Sequence, residues 1–260
     1  MVWFIENYPQ SSDIMEKNCL GTRMAQCRIE VLGPPRIYIC DKEHHSLRRK
    51  TIALISYLIV ENRAVARDKL ATLFWPESGQ SAARRSLRTC LHEVRSLFSE
   101  EIVLTGLDTV SVLRNRIESD YHELLEMVRT PPPVLLQKLS ADERVLRLLS
   151  VGEFMEGFTL PDCRDFDDWQ FQSAEMVRSL RSEAIRSIAE QAICDAYPEA
   201  VVELTQTLIR WDPMEEESYR LLMRVLAAAG LFRAAEEQYE RCVEVLDKEL
   251  GVEPDEETNQ

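Results

Sequence analysis

The sequence predicts a mainly α protein in two parts, on three observations. Residues 27–116 contain two short β-rich runs, three helices and a β-hairpin, in that order. Residues 117–260 are predicted to be all α, with a helix–turn–helix pattern that recurs after 35 residues. The charge divides in the same way, since residues 1–120 hold 17 Lys and Arg against 15 Asp and Glu, whereas residues 121–260 hold 14 against 30.

The length and composition are those of a folded globular protein. The chain has 260 residues, enough for two domains, with 45% hydrophobic and 29% charged residues. No apolar run approaches the roughly 20 residues that span a bilayer, and the first residues lack the basic flank of a signal peptide. Seven cysteines without a C-x-x-C pair favour reduced thiols. We therefore expect a cytoplasmic protein that does not enter a membrane.

The elements of the first part follow from turn and helix signals. Residues 1–26 have no sustained period and are expected to be an extension, in which disorder is one alternative. From Cys27, two β-rich runs flank a turn at Gly33-Pro34-Pro35. Three helices are predicted over residues 47–60, 66–75 and 81–98. A β-hairpin around Thr105–Asp108 completes the order of a winged helix, in which the third helix enters the major groove of DNA.

The elements of the second part follow from a cap, a proline break and the repeat. Asp120 can cap a helix that Pro131-Pro132-Pro133 ends. Similar helix openings recur at Tyr197 and Phe232, and a period near 34 residues with Pro at the boundary is typical of tetratricopeptide repeats (TPR). Two TPR-like repeats alone are marginally stable, so the helices between 120 and 194 are expected to complete the stack. A generic helical bundle is the alternative.

The third helix of the first part has two unlike sides. At about 100° per residue, its apolar residues fall within roughly 60° of one line. This stripe consists of Ala83, Leu87, Cys90, Leu91, Val94 and Phe98. The opposite polar arc contains no acid and consists of Arg84, Arg85, Arg88, Thr89, His92 and Arg95. A merely solvated face would mix signs, whereas guanidinium groups suit guanine edges and phosphates, so the arc predicts DNA contact. An ordinary basic surface is the alternative.

Two blocks of the chain resemble one family of bacterial regulators. Residues 47–98, from "LRRKTIALISYLIV" to "RRSLRTCLHEVRSLF", resemble the OmpR-type winged helix of the SARP transcriptional activators, named for Streptomyces antibiotic regulators. The stretches "VGEFMEGFTLPDCRDFDDWQ" and "AAAGLFRAAEEQYERCVEVLDKELGVEP" resemble their bacterial transcriptional activator domain. The resemblance covers about 27–257. It implies a winged-helix domain over 27–116 and an activator domain with TPR-like repeats over 117–260.

The resemblance also implies a function and partners. It implies a sequence-specific DNA-binding regulator, with activation as the expected outcome, whose partner is double-stranded DNA. The acidic helical domain is expected to mediate dimerisation, or contact with RNA polymerase or a signalling protein. The alternative is a protein–protein interaction module with weak or lost DNA binding, including a fragment of a larger signalling ATPase regulator.

The resemblance assigns roles to the side chains of the recognition helix, which is Ser81–Phe98 in this sequence. Arg85, Arg88 and Thr89 lie toward its N-terminal half and are expected at base edges. Arg84 and Arg95 lie at the margin of the arc and are expected at phosphates.

Arg49 and Lys50 match an Arg-Lys pair of the family at the start of the first helix. They are expected either to contact phosphates or to cover core residues with their aliphatic stems. The predicted wing departs from the family, because its tip, Thr105–Asp108, has no basic residue. The nearest cations, Arg114 and Arg116, lie at the exit of the hairpin, so wing contact with DNA is in doubt.

No pattern in the sequence predicts an enzyme, a metal site or a cofactor. Phosphate-loop, nucleophile-elbow and H-E-x-x-H motifs are absent from the sequence. Four aspartates cluster in "LPDCRDFDD" but lack the Gly and distal Glu of a calcium loop, so we expect them to cap a helix. A helix-start signal at Pro254 lies close to Gln260, from which we expect a truncated chain or an abbreviated family member.

Overall fold

A computed structural model describes residues 27–98, 102–194 and 199–259. The predicted extension, residues 1–26, lies outside these ranges. The fold class is as predicted, because a winged helix with small sheets precedes an all-α region. No described helix combines the length and apolar character needed to cross a membrane.

The winged helix contains seven short strands and three helices. Its strands are β1 (Cys27–Glu30), β2 (Arg36–Ile39), β3 (Lys42–Glu43), β4 (Val65–Ala66), β5 (Val103–Thr105), β6 (Thr109–Val112) and β7 (Ile117–Ser119). Its helices are α1 (Arg49–Glu61), α2 (Arg67–Phe74) and α3 (Gln80–Phe98). All three helices lie within two residues of their predicted bounds. The strands β3, β4 and β7 were not predicted.

The strands form two sheets. One has the order β3-β2-β1-β7, in which β2 is antiparallel and β7 parallel to β1, with Cys27 opposite Ile39 and Ile117. The other has the order β4-β6-β5, in which Val65 lies opposite Val110. The hairpin of β5 and β6 is the wing. Because β7 pairs with β1, the chain on both sides of the predicted domain boundary at 116 shares a sheet, and that boundary stays a prediction.

Seven helices make up the rest of the described chain. They are α4 (Asp120–Met127), α5 (Pro132–Ala141), α6 (Glu143–Ser150), α7 (Arg164–Cys194), α8 (Glu199–Trp211), α9 (Glu216–Ala228) and α10 (Phe232–Leu250). Each of the last three packs on its predecessor, and α8 and α10 begin 33 residues apart, close to the predicted repeat. After α10, Arg220 of α9 holds the chain by an ion pair with Asp255 (2.9 Å), and the residues around Asp255 form a turn.

Aromatic side chains join the winged helix to the helical region. Tyr57 of α1 lies 4.8 Å from Trp169 of α7, measured between ring centroids, and Phe74 of α2 lies 5.5 Å from Phe166 of α7. Phe166 is fully buried and also contacts Trp169 at 5.2 Å. Such contacts contribute beyond the area that they bury. The two parts therefore share one core.

The loop after α6 pairs with the chain that leaves β1. Met155 donates its backbone N–H to the carbonyl of Val31 (2.7 Å), and Gly33 donates to the carbonyl of Glu153 (2.8 Å). Arg181, a buried residue of α7, holds this loop by donating to three carbonyl oxygens. These belong to Leu148 (2.8 Å), Gly152 (2.6 Å) and Val151 (3.0 Å). Burial lowers the pKa of Arg181 to about 10, so it remains charged at neutral pH.

Asp120 makes a third connection, at the first residue of α4. Its buried carboxylate accepts the N–H groups of Val31 (2.9 Å), Leu32 (2.8 Å) and Tyr121 (2.7 Å). Asp120 is the first residue of α4, whose N-cap is Ser119, and its contact with Tyr121 is to the next residue, so the predicted helix cap is not formed. The contacts with Val31 and Leu32 reach the strand β1 region, far away in sequence, and were not predicted.

Candidate nucleic-acid interface

The apolar stripe of α3 is buried as predicted. Ala83, Leu87, Cys90, Leu91 and Val94 are each at most 3% exposed. The side chain of the sixth predicted member, Phe98, lies outside the described part. The stripe packs α3 against α1 and α2, so the opposite side of the helix must face outward.

The polar arc of α3 lies on the surface. Its exposed members are Arg84, Arg85, Arg88, Thr89 and His92, and Arg95 is half-buried. Glu93, the acid of this helix, lies off the arc and accepts a hydrogen bond from Thr51 of α1 (2.5 Å). The arc itself carries no carboxylate.

Arg84 is tied to the neighbouring helix. Its Nε and Nη2 donate to the two carboxylate oxygens of Asp68, at 2.5 and 2.6 Å. The hydrogen bond from Arg84 lowers the pKa of Asp68 below its ordinary value. Arg84 therefore fixes the start of α3 to α2, and its Nη1 group is left out of this pair.

Arg85 and Arg88 are the uncommitted guanidinium groups of the arc. Within the described ranges, neither makes a hydrogen bond or an ion pair through its side chain. Both are exposed. Arg95 differs, because it is half-buried and has an interaction partner of its own. Thr89 turns its hydroxyl back to the carbonyl of Arg85 (3.2 Å).

Arg49 and Lys50 have partners inside the protein. Arg49 donates through Nε (3.1 Å) and Nη2 (2.7 Å) to the carbonyl of Thr159, and its guanidinium lies 4.9 Å from the ring centre of Phe158. Lys50 donates to the carbonyl of Phe74 (2.5 Å) and lies 5.3 Å from the ring centre of Trp75. Of the two predicted roles, these contacts favour the covering of core residues for Lys50, and they make Arg49 a bridge to the helical region.

The wing offers an apolar tip. Leu107 is 98% exposed, and neither it nor its neighbours Gly106 and Asp108 carries positive charge. Arg114, at the exit of the hairpin, pairs with Glu126 of α4 (2.6 Å).

Sequence reasoning missed Arg67, the first residue of α2. It lies beside the wing because β4, which precedes it, pairs with β6. Its backbone N–H donates to the carbonyl of Asp108 (2.8 Å). A two-residue strand such as β4 has no period that a sequence pattern reveals, so nothing in the sequence placed Arg67 near the recognition helix.

The clustered aspartates of the sequence lie near the start of α7. Asp165 and Asp167 lie in the first turn of that helix, where negative charge is favoured. In the described part of the chain, no group of three His, Cys, Asp or Glu residues is arranged to hold a metal ion.

Comparison with known proteins agrees with this architecture. The sequence-family model of the bacterial transcriptional activator domain matches residues 143–260 of this chain. Two curated relatives are named transcriptional regulatory protein MoaR1, from Mycobacterium bovis and Mycobacterium tuberculosis. Each is 26% identical to this chain over 251 residues, which covers 90% of this chain and 77% of the relative.

A solved structure has a similar fold. It is Mycobacterium tuberculosis EmbR in complex with a low affinity phosphopeptide, with a TM-score of 0.59 and 20% sequence identity. The match covers 90% of this chain and 63% of that chain, so this chain spans less than two thirds of it. At this identity the likeness concerns the fold alone.

Proposed function

Because the chain is a SARP-type bacterial transcriptional regulator, we propose that it binds double-stranded DNA in a sequence-specific manner through α3 and activates transcription. One observation carries this proposal. The same helix buries its apolar stripe and exposes an acid-free arc in which Arg85 and Arg88 have no partner within the described residues. A paired arginine already has a carboxylate, whereas these two are available for guanine edges.

The roles along the arc follow from what each side chain already contacts. Arg85, Arg88, Thr89 and His92 are proposed to face base edges. Arg84, whose Nε and Nη2 are engaged by Asp68, is proposed to reach a phosphate through Nη1, and Arg95 to contact a phosphate at the other end of the arc.

The helical domain is proposed to connect the DNA-bound regulator to another protein. Residues 121–260 hold 30 acidic against 14 basic residues, which disfavours contact with phosphates and suits a basic partner surface. RNA polymerase, a signalling protein and a second copy of the chain are the candidates.

Fluorescence anisotropy with labelled duplexes tests DNA binding. We first select a 30-bp duplex from a random pool with the wild-type protein, and then measure its affinity against salt. The two phosphate contacts proposed for Arg84 and Arg95 give a slope of log affinity against log salt of about −1.8. Arg85→Ala/Arg88→Ala should weaken binding to that duplex about 30-fold or more, since each lost bidentate contact costs about 1–3 kcal/mol.

A matched variant controls for the loss of two charges. Arg233→Ala/Arg241→Ala removes two exposed arginines from α10, in the helical domain, and should leave the affinity unchanged. Equal binding by the wild type and the Arg85→Ala/Arg88→Ala variant would show that α3 is not the reader.

A second function is favoured by the wing and the charge of the helical domain. With Leu107 at an uncharged tip and Arg49 and Lys50 engaged internally, the chain has few cations left for phosphates. A protein–protein interaction module with weak DNA binding would have this distribution. Recovery of one stoichiometric protein partner, together with the absence of salt-sensitive DNA binding, would favour this second function.

A further inference from the structure

A cleft separates the wing turn from the N-terminal half of α3. Its volume is about 280 Å³, and its floor includes the buried Leu87. The charged residues that line it are Arg67, Asp68, Arg84, Arg88 and Asp108, and the exposed Leu107 and Ala66 also line it. Three elements therefore meet here: the start of α2, the recognition helix and the wing.

Arg67 stands in this cleft without a partner. Among the described residues, no group hydrogen-bonds to its side chain, and its Nε is buried from solvent. Because no described residue accepts a hydrogen bond from the Arg67 guanidinium, and Arg67 lines the cleft, its donors are available to an acceptor that enters the cleft. The position of Arg67 is fixed, because its backbone N–H is bonded to the carbonyl of Asp108 in the wing.

The neighbouring charges define which acceptor fits. Asp68 is neutralised by the two-point contact with Arg84, and the Nη1 group of Arg84 remains outside that contact. The three arginines and two aspartates of the cleft leave a net charge of +1. The carboxylate of Asp108 opposes an anion, whereas the forked guanidinium of Arg67 suits phosphate oxygens.

We propose that this cleft is a subsite for one phosphate of the DNA backbone, held by Arg67 and by Nη1 of Arg84, with Leu107 packed against the adjoining sugar. Arg67 thereby supplies, from α2, the cation that the wing lacks. Asp68 acts as a positioning residue that orients Arg84. This proposal rests on the proposed DNA-binding function and leaves Arg88, at the edge of the cleft, for base contact.

The experiment uses two variants with opposite expected effects. On the duplex selected by the wild type, and on an unrelated duplex of equal length, Arg67→Gln should weaken binding about tenfold. It should also reduce the magnitude of the salt slope by about 1, since a phosphate contact acts on all sequences alike. Asp108→Asn, which keeps the backbone carbonyl, should strengthen binding severalfold. Arg233→Gln on α10 removes the same charge as Arg67→Gln and should change nothing.

The outcomes separate this proposal from the proposed function. Wild-type binding that depends on salt, together with unchanged affinity and slope in both Arg67→Gln and Asp108→Asn, overturns the subsite and leaves the function standing. No salt-dependent binding by the wild type overturns both. Loss of binding by Arg67→Gln on the selected duplex alone identifies Arg67 as a base contact and overturns its phosphate role. Thermal unfolding of each variant shows whether a change in affinity reflects a change in folding.

Discussion

Gly152, in the loop after α6, lies close to the backbone of Gly33 in the first part of the chain. A Cβ atom there would lie 2.7 Å from the Cα and 2.8 Å from the backbone N of Gly33, and its φ is +73°. Backbone atoms cannot move aside as a flexible side chain can. Only glycine therefore fits this position.

Gly152→Ala should destabilise the fold far more than the same change at Gly157. Gly157 has a similar φ of +69° but no atom within 4 Å of an added Cβ. Gly157→Ala should cost about 1 kcal/mol, the usual penalty for a left-handed alanine. Gly152→Ala should cost at least about 2 kcal/mol more, because Gly33 must shift. Urea unfolding of both variants measures the difference, and equal losses would contradict the close approach.

Burial shifts the pKa values of two side chains near the start of α4 in opposite directions. Burial raises the pKa of Asp120 to about 6 from 3.8 and lowers the pKa of His122 to about 4 from 6.5. The folded chain therefore holds the Asp120 proton more tightly than the unfolded chain does. Protonation of Asp120 stabilises the fold, and this contribution to the free energy of unfolding is lost as pH rises from about 4 to 6. The unfolded chain protonates His122 below about 6.5, so the His122 contribution is lost as pH falls toward 4.

The two contributions should nearly cancel in the wild type and appear in single variants. Between pH 4.5 and 6, the free energy of unfolding of His122→Gln should fall with rising pH relative to the wild type. That of Asp120→Asn should rise. Over the full titration, each of these changes in the free energy of unfolding should reach about 3 kcal/mol. Urea unfolding at several pH values checks this, and parallel profiles for all three proteins would refute it.

Individual side chains were predictable where they lie on one helix. The arc of α3, with Arg85 and Arg88, follows from helical periodicity alone. The contacts of Asp120 do not, because its partner Val31 is 89 residues away in sequence. Arg67 was missed for the same reason, since the fold and not the sequence brings it to the wing.

Two adjacent residues of α3 are expected to have different roles, one in the stability of the fold and the other in DNA binding. Leu87 is 1% exposed and packs in the core, whereas Arg88 is exposed. Leu87→Ala should lower the free energy of unfolding by about 2–5 kcal/mol. Arg88→Ala should change it by less than about 0.5 kcal/mol and weaken binding to the selected duplex at least about fivefold. Urea unfolding and fluorescence anisotropy on both variants test this. A loss of stability in Arg88→Ala would show that the face of α3 that carries Arg88 is buried.

The three helices of the winged helix and the strands on either side of its two predicted turns were predictable, whereas three other short strands were not. The helices α1, α2 and α3 carry apolar patterns long enough to define their period. The strands β3, β4 and β7 have two or three residues each, and their existence depends on a partner strand. The parallel pairing of β7 with β1 therefore could not be predicted, although it places residues beyond 116 in the first sheet.

The shared aromatic core makes the winged helix and the helical region one folding unit. Phe166 is fully buried between Phe74 of α2 and Trp169 of α7. We expect one unfolding transition, with the same midpoint by tryptophan fluorescence and by far-ultraviolet circular dichroism. Phe166→Ala should shift both midpoints together and cost about 3–5 kcal/mol. Two separated transitions in the wild type would contradict a single unit.

This coupling fixes the orientation of α3 relative to the helical domain. Arg49, the first residue of α1, reinforces this coupling, because its side chain donates a hydrogen bond to the carbonyl of Thr159 in the helical region. A partner that binds the helical domain would therefore hold α3 in a defined orientation relative to itself.

Selection of sequences from a random pool of duplexes tests most directly whether α3 reads DNA. The wild type should enrich a defined sequence motif. Arg85→Ala/Arg88→Ala should lose preference at the base pairs that these arginines contact, while Arg233→Ala/Arg241→Ala should enrich the wild-type motif. Enrichment of the same motif by the wild type and by Arg85→Ala/Arg88→Ala would contradict the assignment of sequence reading to this helix.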